Sequence, residues 1–222
     1  MTARSIAALG VVVCFLGGAS LLAPAGACAG GAKGKIVTVN TDGTSVTVIN
    51  QLKKTVLDDP QVGNHPIKAI ADSQGTRLYV INAGSDDMSI VNLDKFLVIT
   101  IPLGFQPRDL EITPNGTTVV ILHEEPDVAS GGNQFKGDYS IYDAKQESVV
   151  RTNRLNGLGG GDHEPCGLVS DGSNDMMWIT SCASNKVVLI DLRKARDNDS
   201  GDEVRAVLDT GAGPMQILRT SR

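Results

Sequence analysis

Aromatic residues make up only 4% of this 222-residue chain, with a single tryptophan, and there are just three histidines. Stacking of unpaired bases needs aromatic platforms, and a phosphate backbone needs a basic patch. With 20 basic against 25 acidic residues and a formal charge of −5, the chain supplies neither, which excludes nucleic acid as a partner. At 41% apolar and 20% charged it is neither a disordered chain nor a membrane bundle. Beyond residue 27 there is no haem-attachment Cys-x-x-Cys-His, no zinc-type Cys-x-x-Cys pair and no Gly-x-Ser-x-Gly nucleophile elbow. No helical period of useful length is present either.

What is present begins with a targeting signal. Arg4 precedes an apolar, small-residue run from Ser5 to Ala23, and Ala25-Gly26-Ala27 is a small-x-small cleavage site. Gly10, Gly17, Gly18 and Ser20 dilute the run below what a bilayer span requires. Residues 1–27 therefore read as a secretory signal peptide and 28–222 as one domain working outside the cytoplasm, secreted or periplasmic. Cys14 leaves with the signal, so Cys28, Cys166 and Cys182 remain, an odd number for an oxidising compartment. Ala25-Gly26-Ala27-Cys28 resembles a bacterial lipobox. Lipid attachment at Cys28 would anchor the chain to a membrane face and leave Cys166 and Cys182 to pair, whereas plain cleavage near Ala27 is the other reading.

The rest of the chain repeats itself, which is the signature of stacked or radial units. The stretch from Pro66 to Leu93 aligns without a gap with that from Pro165 to Leu192, and Pro107–His123 joins them over its length. In this register Gly75, Gly116 and Asn174 share a turn position. Tyr79, Val120 and Trp178 share a strand position, and Asn92 and Asp191 close a third strand. Asp143 is the equivalent in the Pro107 unit, displaced by an insertion between His123 and Tyr139. Each unit holds four short β-branched and aliphatic runs, in the best case Ile67–Ala71, Leu78–Asn82, Met88–Asn92 and Phe96–Ile101. Asp72-Ser73-Gln74-Gly75 and Thr113-Pro114-Asn115-Gly116 are hairpin turns. The fold class is all-β: a propeller of four-stranded antiparallel blades.

Leu78-Tyr79-Val80-Ile81-Asn82, Met88-Ser89-Ile90-Val91-Asn92 and Gly104-Phe105-Gln106-Pro107 resemble the YVTN-type repeat of mostly secreted bacterial and archaeal propellers. The wider superfamily typically has seven blades and includes lactonases, the propellers of nitrite and nitrous oxide reductases, and amine dehydrogenase subunits. Here Lys35–Asn40 and Val46–Asn50 match second and third strands, so the first unit lacks its first strand, while Pro214-Met215-Gln216-Ile217-Leu218-Arg219 is a first strand standing alone. A composite blade made from the two would close a four-bladed ring. The alternative is an open arc or part of a larger ring.

The register also assigns a rim, since loops entering the first strands and loops joining second to third strands emerge on one side, where rigid β scaffolds carry binding residues. His65, Gln106, Arg108, His123, Glu124, Glu125, His163 and Glu164 fall there, including every histidine of the chain. The sharp reading is that His65, His123, His163 and Glu164 converge on a metal ion, the one cofactor the pattern suggests, or on an anionic ligand, for whose carboxylate or phosphate Arg108 is equally suited. Ordinary polar loop residues are the bland alternative, because no tight ligand spacing is present. Cys166 and Cys182 sit at opposite ends of one hairpin, within disulfide reach. Asp197–Glu203 has calcium-loop composition without the spacing, and Asn156–Gly161 is glycine-rich but leads into a strand, so both read as connectors. The expected function is a non-catalytic binding scaffold in the cell envelope whose rim takes a protein or small-molecule partner. The resemblance also implies two alternatives: a lactonase-like hydrolase using Glu164 or a histidine as base, or an accessory of a periplasmic redox system. A structural subunit of a cell-surface assembly is a third. Membrane contact is expected only through a lipid on Cys28.

Overall fold

The computed structural model describes residues 12–16, 19–21, 34–124, 139–155, 164–197 and 203–220. Strands β1 (Val12–Leu16) and β2 (Ala19–Leu21) precede β3 (Lys35–Asn40), β4 (Ser45–Asn50) and β5 (Thr55–Asp58) of the first blade. The second blade is β6 (Pro66–Ala71), β7 (Arg77–Asn82), β8 (Asp87–Asn92) and β9 (Val98–Pro102). The third is β10 (Pro107–Ile112), β11 (Thr118–His123), β12 (Tyr139–Asp143) and β13 (Ser148–Asn153). The fourth is β14 (Pro165–Ser170), β15 (Met176–Ser181), β16 (Lys186–Asp191) and β17 (Val204–Asp209), with the short helix α1 (Leu192–Asp197) before β17. The second, third and fourth blades are antiparallel meanders in sequence order, whereas the first sheet runs β2-β1-β3-β4-β5.

The second strands of the two inner blades, β7 and β11, are apolar on both faces, and alternation explains why. In β7, Leu78 and Val80 pack toward the first blade with Val37, Val39, Val46 and Val48, whereas Tyr79 and Ile81 pack toward the third with Leu110, Val119 and Ile121. In β11, Val119 and Ile121 face back, while Val120 and Leu122 face the fourth blade with Met177, Ile179 and Val188. The core is thus three clusters, each filling the gap between neighbouring blades. First strands approach one another along β6, β10 and β14 and so form the inner edge, while β5 is exposed along its whole length at the outside.

Turn chemistry follows the repeat. Gly75 (φ 67°) and Gly116 (φ 70°) take the left-handed conformation expected of them, whereas in the fourth blade it falls on Gly172 (φ 98°) rather than at Asn174. Every third strand ends on an Asn or Asp whose side chain accepts the backbone N–H groups of the turn that follows. Asn50 Oδ1 accepts from Leu52 and Lys53, Asn92 from Asp94 and Lys95, Asp143 from Lys145 and Gln146, and Asp191 from Arg193 and Lys194. At Asp191 the same bonds cap α1, which buries Leu192 and Ala195 and was not anticipated from the sequence.

Two terminal features correct the expected composite blade. In the full chain the place beside β3 is taken by β1, a strand of the leader-like residues 1–27, paired Val12↔Thr38 to Cys14↔Ile36, and Pro214–Leu218 lies outside every sheet. The segment after β17 lies instead against β14, where Gly167 leaves room for it. The arrangement is an open arc of four blades, the alternative to a closed ring. The Cys166–Cys182 disulfide forms at the rim end of the β14–β15 hairpin, with Cα atoms 6.0 Å apart. Cys28 and the stretch 156–161 lie outside the described residues, as do residues 198–202 of the acidic stretch, whose last member, Glu203, is buried.

Because Asn92 satisfies two turn donors at 3.0 and 2.9 Å, Asn92→Ala is expected to lower the free energy of unfolding by about 1 kcal/mol, and Asn92→Asp to preserve it, as measured by urea denaturation.

Candidate functional site

The rim where chain enters the first strands is built by a bulge that recurs in three blades. The pairing shifts between Pro66 and Lys68, between Pro107 and Asp109, and between Pro165 and Gly167. A bulge re-aims side chains at a strand end. Arg108 Nη1 reaches Glu164 Oε1 at 3.2 Å, joining the third blade to the mouth of the fourth. Two residues that the sequence places on the rim are thereby brought together. Both are partly exposed, so the pair contributes at most about 1 kcal/mol to stability and remains open to exchange with a ligand. The backbone of Gln106 accepts from the Glu124 N–H at 2.8 Å, which brings these two exposed residues side by side.

The histidines do different things. His65 is exposed at φ 51°, and its Nδ1 lies 3.0 Å from the Thr41 carbonyl oxygen, so it bridges the first and second blades. His123 is 1% exposed. Its Nε2 lies 2.7 Å from Ser140 Oγ, which in turn is 2.8 Å from Thr152 Oγ1, and its ring meets Phe105 edge-on. The repeat puts Asn40 and Asn82 at the same strand end, and these bond Thr47 and Ser89 in the same way, at 3.0 and 2.9 Å. His123 therefore fills a structural position held elsewhere by an amide. Glu125 and His163 lie outside the described residues. Among the described residues no group of three or more His, Cys, Asp or Glu side chains gathers in metal-binding fashion.

A second cluster, missed from the sequence, lies along the inner strands. Lys68 of β6 pairs with Asp109 of β10. Two residues along β10, half-buried Glu111 has its carboxyl pushed up to about 7, chiefly by desolvation and further by Asp109; Lys68, the Ser170 backbone and Arg219 pull the other way. The available signal was Arg108-Asp109-Leu110-Glu111, three charges in one short strand whose neighbours in the fold are first strands of other blades. Together, Lys68, Arg108, Asp109, Glu111 and Glu164 line the inner edge of the arc with charges of both signs.

No protein-family model matches the sequence, and no curated protein matches it. Solved structures do match. The β-propeller domain of Cps50 (Swd1) from Myceliophteria thermophila superposes with a TM-score of 0.64 at 12% identity, over 81% of this chain and 53% of that one. The fold is that of a β-propeller. A functionally unknown protein from Desulfotomaculum acetoxidans matches with a TM-score of 0.57 at 12% identity, over 79% of this chain and 49% of that one. This propeller chain thus spans about half the length of those two structures. Hydrazine synthase from Kuenenia stuttgartiensis aligns at 16% identity over 82% and 85% of the two chains, with a TM-score of 0.41 that carries no argument. At these identities the likeness concerns the fold alone.

Burial without a counter-charge pulls the His123 imidazole down to about 4, from the ordinary 6.5. The unfolded chain then takes up a proton that the folded one refuses, so stability is full above pH 6.5 and falls as pH drops toward 4, by on the order of 3 kcal/mol. His123→Asn, the residue found at this position in the first two blades, is expected to keep neutral-pH stability and flatten that acid limb, as measured by urea midpoints between pH 8 and 4.

Proposed function

We propose that the chain is a YVTN-type propeller acting outside the cytoplasm as a non-catalytic binding scaffold, which takes a protein or small-molecule partner of the cell envelope on the rim where Arg108 and Glu164 meet. The observation that carries this reading is the Arg108–Glu164 pair itself: two opposite charges from adjacent blades, partly exposed at the mouth of the inner edge and flanked by Gln106 and Glu124. Rigid strands present it, so a partner binds at little ordering cost. The Cys166–Cys182 disulfide supports an oxidising compartment, and the leader-like residues 1–27 support export. The repeat words from Leu78 to Asn92 support the family assignment.

The test is capture from envelope extract with the immobilised protein, compared with Arg108→Glu. The charge reversal is expected to lose the specifically retained partner while leaving the melting temperature within a few degrees. Identical retention by both proteins would remove the rim from consideration.

One observation favours a second reading, a lactonase-like hydrolase. A carboxyl held near neutrality beside the inner edge suits a general base. Under that reading Glu111, rather than Glu164 or a histidine, takes the proton from water. Glu111→Gln is then expected to abolish lactone opening measured by pH-stat, and equal rates in both proteins would discard the hydrolase.

A further inference from the structure

The segment after β17 carries the repeat's first-strand word but joins no sheet. It is anchored where it leaves the blade, by Gly213 N–H donating to Asn185 Oδ1 at 2.8 Å and by the Thr210 N–H donating to the Asn185 carbonyl at 2.9 Å. From there it runs alongside β14 in the same direction. The Pro214 carbonyl oxygen and Met215 Sδ touch Cys182 Sγ at 3.3 and 3.5 Å, the Met215 carbonyl passes Gly167, and the Arg219 guanidinium lies over Gly172.

Two glycines make this path open. A Cβ on Gly167 would stand 2.9 Å from the Met215 carbonyl oxygen and 3.3 Å from Gln216 Cα, and one on Gly172 would collide with the Arg219 guanidinium. In the repeat register the residues equivalent to Gly167 are Lys68 and Asp109, whose side chains pair across the inner edge. The fourth blade thus puts a groove where its neighbours put charge, and the segment fills it. Little holds the segment there: no β-ladder forms, Met215 is 58% exposed and Leu218 77%. Backbone without a ladder and without buried apolar contacts opens at low cost. The position matters because β14 packs directly beside β10, the strand that carries half-buried Glu111.

We infer that Pro214–Thr220 is a displaceable strap, seated through Gly167 and Gly172, that covers the inner side of β14 and limits access to Glu111. This inference is independent of which partner the rim takes.

The experiment is carbodiimide modification of carboxyl groups on the full chain, read residue by residue by mass spectrometry, together with hydrogen exchange of peptides spanning 209–220, which contain the strap and its hydrogen-bonded anchoring amides, Thr210 and Gly213. Arg219→Gln, at an exposed position, and Gly167→Ala are each expected to speed modification of Glu111 several-fold and to accelerate exchange of the strap. Labelling of Glu164 on the exposed rim should stay unchanged. Glu111 reacting at the wild-type rate in Arg219→Gln while the strap exchanges faster would overturn the gating role. Unchanged exchange in both variants would overturn the strap itself. Gly167→Ala also crowds Thr180 Oγ1 at 3.3 Å, so the Arg219→Gln result decides if that variant does not fold.

Discussion

Everything in this molecule depends on the gap between one blade and the next being filled from both sides. A four-stranded sheet with two apolar faces cannot stand in water, and in the two inner blades the second strands, β7 and β11, are apolar on both. Leu78 and Val80 look one way along β7, Tyr79 and Ile81 the other, and only a neighbouring sheet on each side removes both sets from solvent. Stacking face to face is the solution that also leaves just the short first and fourth strands as edges. The polar positions serve this arrangement. Asn82 and His123 tie the ends of their strands to Ser89 and Ser140, and Asn50, Asn92, Asp143 and Asp191 fold each third-to-fourth-strand turn without leaving its backbone donors unpaired.

The repeating parts were legible because a repeated strand pattern needs repeated turn chemistry. Gly75 and Gly116, the closing Asn92, Asp143 and Asp191, and the Cys166–Cys182 staple all follow from alignment of the units. The non-repeating parts were not. A first strand pairs with whichever edge the chain brings beside it, and nothing in Pro214–Arg219 specifies β3 over the face of β14. Gly167, which leaves room for the segment beside β14, reads in sequence as one small residue among 25 glycines.

The candidate site divides along the same line. Arg108 and Glu164 were named as rim residues from the register alone, and the fold brings them together. His65, by contrast, serves as a bridge between blades and His123 as a replacement for Asn; both roles need the third dimension, because an imidazole in a loop and one under a loop look identical in one. Lys68, Asp109 and Glu111 went unnoticed for a different reason. They belong to strands, where alternation suggests solvent on one side, yet the side they face is the inner edge of the arc, where desolvation sets the properties of a carboxyl.

Placing the cores between blades also separates two units that are easily taken as one. The stretch that recurs along the chain is a single blade, but no blade possesses an interior of its own; the smallest object that can exclude water is a pair. A single unit therefore could not have been a stable ancestor by itself, and loss of one unit today would strip its neighbour as well as itself. The evolutionary module is the sheet, whereas the thermodynamic module is the seam.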